Sequence, residues 1–183
     1  MNQYSLEGDD CALVIIDLQE KLMKAMKDQD RVYKNTNLLL AIAKEFDIPV
    51  IVTEQYPRGL GATVEEIKNH LPEEYFYLDK NSFSALNEEM QAILDKIGRK
   101  KIIITGSETH ICVFQTARDL VNKGYHVYLV RDAVCSRFDE NYENALSLMS
   151  SLGAVITTAE TVVFDLLKQA GTPAFKAISP LLK

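Results

Sequence analysis

Short runs of unbroken apolar residues, separated by longer amphipathic stretches, constrain this 183-residue chain more than any other feature. ALVIID (12–17), PVIVT (49–53), KIIIT (101–105), YHVYLV (125–130) and AVITT (154–158) each read as a buried strand, and YFYLD (75–79) as a shorter, weaker one. Apolar residues are continuous along these runs rather than alternating, which is the pattern of strands covered on both faces, as in a parallel sheet. Between them, 31–46 carries Leu38, Leu39, Ile42 and Phe46 at helical spacing. The stretches 88–97, 109–123 and 141–152 read as helices closed by Gly98, Gly124 and Gly153, and 160–169 reads as a last helix. Strands interleaved with helices in this way predict an α/β sandwich. No linker, repeat or low-complexity segment breaks the pattern, so 1–183 is expected to form one domain. The tail after Gly171 is apolar enough to dock, with a second subunit as one surface for it. The loop 54–66 is long and rich in Gly and Pro, the kind of connection that often carries function.

In open parallel sheets, ligands bind beyond the carboxyl ends of the strands. Asp17 ends the first strand, Gln55 lies just past the second, Lys80 follows the third, and Cys112 opens the helix after the fourth. These residues, far apart in the chain, are expected to meet on one rim. There a thiol becomes a nucleophile if its pKa falls or a base takes its proton. A helix N-terminus and a Lys80 ammonium would favour the thiolate, and Asp17 could accept the proton and later deliver it to a leaving group. Backbone N–H groups of the SETHIC turn could receive a developing oxyanion.

Each residue taken singly also has a plainer reading. Cys112 would be a buried structural cysteine, Asp17 a helix cap and Lys80 a surface lysine. Gln55 either touches substrate or does not. Tyr56, Phe83 and Phe114 could line an apolar pocket, with core packing equally open for Phe114. His110 is two residues from the cysteine, and His126 falls in a predicted strand, where a structural role is expected; Cys11 and Cys135 are expected to be inert.

Three segments, LVIIDLQ around Asp17, LDKNSFSAL around Lys80 and ITGSETHICVFQTARDL around Cys112, resemble the isochorismatase-like cysteine hydrolases, a group that includes nicotinamidases and N-carbamoylsarcosine amidases. The similarity runs over nearly the whole chain. It implies a six-stranded, mainly parallel, Rossmann-like sheet and an Asp–Lys–Cys triad, with Asp17 the general acid/base, Lys80 the charge-stabilising partner and Cys112 the nucleophile. It also implies a cis peptide between Ser107 and Glu108, aiming the Glu108 and Cys112 N–H groups at one point as an oxyanion hole. Gln55, Tyr56 and Phe83 become candidate substrate contacts. Nicotinamidases carry metal-binding histidines after the second strand. This chain has TEQYPRGLG there and His70 well downstream, so no metal and no cofactor are expected. The wording resembles a metal-free subgroup. Cleavage of a small amide through a thioester is the expected activity. The alternatives are vinyl ether hydrolysis with Asp17 as acid, and a binding or assembly module that keeps the fold without turnover. Membership also implies a homo-oligomer, a dimer or larger.

Composition limits the partners. A net charge of -6 argues against general nucleic-acid or anionic-membrane binding. No apolar run approaches the roughly 18 residues of a membrane helix, and the polar start MNQYSLEGDD is unlike a signal peptide. Three cysteines at positions 11, 112 and 135 match no metal or disulfide spacing, which suits a reducing, cytoplasmic setting. The expected partner is a small molecule.

Overall fold

The computed structural model describes residues 4–182. Six strands form one sheet: β1 (Cys11–Ile16), β2 (Val50–Gln55), β3 (Phe76–Lys80), β4 (Lys101–Ser107), β5 (His126–Cys135) and β6 (Val155–Thr157). Their order is β3-β2-β1-β4-β5-β6, and every pairing is parallel. The helices are α1 (Glu20–Met23), α2 (Gln29–Glu45), α3 (Pro57–Leu60), α4 (Glu65–Lys68), α5 (Glu88–Ile97), α6 (Phe114–Asn122), α7 (Asp139–Ser151), α8 (Ala159–Leu167) and α9 (Pro173–Ile178).

Strand β1 shows why the apolar runs are continuous. Leu13 and Ile15 pack on one face with residues of α2 and α8, such as Leu39, Ile42, Val163 and Leu166. Ala12, Val14 and Ile16 pack on the other face with residues of α5, α6 and α7, such as Met90, Leu94, Leu120 and Met149. Both pleat faces are dry, so neither set of alternating positions is polar. The tail docks on its own fold: Ile178 of α9 is buried in the α2 face, with Ala174, Phe175 and Leu182 packed around it.

The order of strands fixes where a site can lie. From β1 the chain winds outward through β2 and β3, then returns to place β4 on the other side of β1. The crevice at this switch point lies beyond the carboxyl ends of β1 and β4. These two strands approach closely there. Gly106 sits opposite Ile16 at φ 134°, and a side chain at that position would run into the Ile16 backbone.

Two elements differ from the sequence reading. Strand β5 runs on to Cys135 rather than ending at 130, past a register shift opposite 104–106. Polar side chains hold this second half: Asn35 Nδ2 donates to the Asp132 carbonyl at 2.8 Å and Thr105 Oγ1 to the Ala133 carbonyl at 2.5 Å. The stretch 109–123 is not one regular helix either. Thr109–Val113 forms a wide π-turn in which the Val113 N–H reaches back five residues to the Glu108 carbonyl at 3.2 Å, and α6 begins only at Phe114.

Candidate active site

Asp17 follows β1 in the left-handed region, at φ 50°, which a short polar side chain tolerates better than most. Its N–H donates to the Thr53 carbonyl at 3.1 Å, and its carbonyl accepts from Ser107 Oγ at 2.9 Å. The residue is thereby fastened to both β2 and β4. Its carboxylate does not cap the helix that follows. Oδ1 accepts from Thr53 Oγ1 at 2.7 Å and Oδ2 from Lys80 Nζ at 2.7 Å. Both partners of this ion pair are 0 % exposed in their side chains. Breaking such a pair would leave a lone charge in a dry site, so its two members depend on each other.

Lys80 ends β3, opposite Gln55 in the register. Besides Asp17, its ammonium meets Gln55 Oε1 at 2.8 Å and the carbonyls of Phe83 and Ser82 at 3.1 and 3.2 Å. The NSFS loop therefore wraps around the charge.

Cys112 lies in the π-turn after β4, buried at 5 % exposure. Asp17 and Lys80 both act on its thiol, so the three side chains from distant segments lie close together. Burial pushes the thiol up to about 12, and the Asp17 carboxylate pushes the same way. Lys80 pulls it down but does not prevail. At neutral pH the resting group is a thiol, not the thiolate that a helix terminus and a lysine alone would suggest. The reason is burial first, with the Asp17 carboxylate adding to it and already pairing the lysine charge.

The Ser107–Glu108 peptide is cis. The Glu108 side chain is buried and accepts from the Arg137 backbone N–H at 3.0 Å and from Arg137 Nε at 3.0 and 3.2 Å, which ties the turn to the loop before α7. Thr116 Oγ1 donates to the Cys112 carbonyl at 2.6 Å and accepts from the Ala85 N–H at 2.9 Å, joining the cysteine turn to the lysine loop. Sequence reasoning missed Thr53, Thr116, Arg137 and the Glu108 side chain. Only Thr116 had a usable signal, one helical turn after Cys112.

The tentative contacts fall in different places. Phe83 and Tyr56 are each 54 % exposed. Phe83 belongs to the loop around Lys80. Tyr56, at φ 38°, lays its ring against Gly59, where a side chain would collide with it. Phe114 packs against the core. Both nitrogens of His110 have protein partners, Ser136 Oγ at 2.9 Å and Asn141 Nδ2 at 3.4 Å. His126 is exposed at the start of β5. His70 is exposed at the end of α4, bonded to the Glu66 carbonyl. Among the described residues no three His, Cys, Asp or Glu side chains converge as metal ligands.

Six parallel strands wound both ways from β1 define a doubly wound α/β protein, with a thiol, a carboxylate and an ammonium at its switch point. The chain belongs to the isochorismatase family: the family model described as isochorismatase domain matches residues 11–161. The secreted isochorismatase effector Isc1 of Phytophthora sojae is 39% identical over 175 residues, covering 93% of this chain and 83% of its own. The solved structure of MAR1 ribonuclease from Caenorhabditis elegans matches with TM-score 0.92 at 35% identity, covering 97% of this chain and 92% of that one. The YcaC gene product of Escherichia coli, described as an octameric hydrolase of unknown specificity, matches with TM-score 0.90 at 27% identity, covering 97% of this chain and 89% of that one. Among the described residues, no helix is long and apolar enough to cross a membrane.

Proposed function

We propose that this isochorismatase-family hydrolase cleaves the C–N bond of a small amide with Cys112 as nucleophile, Asp17 as proton carrier and Lys80 as the fixed positive charge. The observation that carries the reading is a fully buried Asp17–Lys80 pair beside one buried thiol at the switch point of the sheet. As the sulfur attacks the amide carbon, the S–H proton passes to the Asp17 carboxylate and the carbonyl electrons move onto oxygen. The backbone N–H groups of Glu108 and Cys112 receive that oxyanion. Collapse breaks the C–N bond, Asp17 returns the proton to the leaving amine, and a thioester remains on Cys112. Water then attacks the thioester and gives its proton to Asp17, which passes it back to the departing sulfur. A group at about 12 attacks efficiently only if its proton leaves in the same step, which makes Asp17 indispensable. No metal or cofactor enters the scheme.

The resting thiol favours one second reading. A protonated Asp17 could instead protonate a vinyl ether, with water as the nucleophile and Cys112 uninvolved in bonding. The C. elegans relative's ribonuclease name is not carried over, because a net charge of -6 gives a polyanion little to bind. We further propose a self-associating protein, by analogy with the octameric neighbour, and a cytoplasmic location suited to three unpaired thiols. Light scattering coupled to size exclusion checks the first. For the chemistry, a panel of amides, carbamoyl compounds and vinyl ethers is screened, and the reaction is quenched in acid. Turnover lost in Cys112→Ser together with an acyl mass on the Cys112 peptide supports the amide scheme. Undiminished turnover in Cys112→Ser would sink it.

A further inference from the structure

We propose that Gln55, held by Gln19, is the positioning residue of Lys80. The proposal rests on the reading of Cys112 and Lys80 above. Gln55 already uses both ends of its carboxamide within the protein: Oε1 accepts from Lys80 Nζ at 2.8 Å and Nε2 donates to the Asn81 carbonyl at 2.9 Å. Both ends of the amide are thus committed within the protein, which fixes its orientation.

Gln55 is itself gripped from behind. Gln19, two residues after Asp17 and 0 % exposed, accepts from the Gln55 N–H at 2.7 Å, donates to the Gln55 carbonyl at 3.0 Å and donates to the Gly61 carbonyl at 2.7 Å. A single buried side chain thus fixes both backbone groups of Gln55 and the loop beyond it. Buried polar groups paired so completely define one geometry. An ammonium carries three protons. Asp17 and Gln55 are its two nearest acceptors, with two backbone carbonyls sharing the remainder. Without Gln55 the ammonium would settle on Asp17 and the carbonyls, and the positive field it casts at Cys112 would weaken.

The choice of an amide over a carboxylate follows from charge. Lys80 is what lowers the thiol against burial and Asp17. A second carboxylate on Lys80 would cancel that help, whereas a neutral carbonyl oxygen orients the ammonium without opposing its field.

The test compares the rates at which iodoacetate and iodoacetamide alkylate Cys112 at pH 8. Their ratio cancels how open the pocket is and reports the positive charge felt at the sulfur. In the intact full-length chain, Gln55→Met and Gln19→Met are each expected to lower the ratio about threefold, and Gln55→Glu, which keeps the shape, about tenfold. The double Gln19→Met/Gln55→Met variant should fall no further than either single change, because the two act as one unit. If Gln55→Met and Gln55→Glu leave the ratio unmoved while Lys80→Met lowers it, the positioning role is wrong and the catalytic reading stands. If Lys80→Met leaves it unmoved as well, both fall.

Discussion

Strand β1 has an aspartate, a lysine and a cysteine at each end, and we propose only one of the two groups as a site. At the carboxyl end are Asp17, Lys80 and Cys112. At the amino end, Cys11 pairs in register with Lys101, whose Nζ lies 2.9 Å from Asp10 Oδ2 and 2.6 Å from the Ser5 carbonyl. Burial pushes Cys11, like Cys112, up to about 12. Residue types and thiol acidity therefore do not separate them.

Partners do. The Cys112 thiol is acted on first by the Asp17 carboxylate and then by the Lys80 ammonium, while the strongest partner of the Cys11 thiol is the Glu7 backbone. Asp17 is wholly enclosed, whereas the Asp10 side chain is 25% exposed. At the amino end the cations fasten chain: Lys101 holds the Ser5 carbonyl, and Arg99 holds the carbonyls of Gly8, Cys11 and Asp47. The carboxyl end also receives the N-termini of the crossover helices, the positive ends of their dipoles. A thiol needs a proton acceptor at hand and a fixed positive charge beside it, and we propose that the carboxyl end of β1 supplies both.

The widest contrast should come from the aspartates. Asp17→Asn is expected to cut turnover about 10²–10⁴-fold, the range for a lost general base, and Asp10→Asn to leave it within about twofold. Steady-state assays on the amide found by screening would show it, and equal losses would erase the distinction between the ends. The lysines come next, read as stability. Lys80→Met strands a buried carboxylate and should cost about 3–5 kcal/mol in urea unfolding. Lys101→Met leaves an aspartate that water can reach, so about 1–2 kcal/mol is expected. The smallest effect separates the thiols themselves. Because the Cys112 thiol titrates near 12, its thiolate fraction grows with pH throughout the working range. Its iodoacetamide labelling should rise about tenfold per unit between pH 7 and 10. Cys11 and Cys135, sealed in the core, should label only on unfolding.

How much of this was legible in the sequence depends on what holds each part. Helix α5 ends at its closing Gly98 as read, and nearly all of β1, most of β4 and the first half of β5 follow from continuous apolar runs. The RDAVC half of β5 was invisible because Asn35 and Thr105, remote in sequence, hold its backbone. Helices α1, α3 and α4 have four residues each, too few for a period to show. Asp17, Lys80 and Cys112 could be placed on one rim because each follows a strand. Their acidity could not be read, since it depends on burial and on Lys80 already being paired with Asp17. Arg137 could not be read either, because its tie to Glu108 spans 29 positions without a pattern.

The central claim is that Asp17 is the proton partner of Cys112, adding to burial in holding the thiol proton until attack. It is tested most directly by the iodoacetamide rate of Cys112 at pH 8 in the parent protein and in Asp17→Asn. Removing the carboxylate takes away a charge that raises the thiol and frees Lys80 to stabilise the thiolate, so labelling should quicken about tenfold even though turnover falls. A rate in Asp17→Asn that is unchanged or slower would contradict the account.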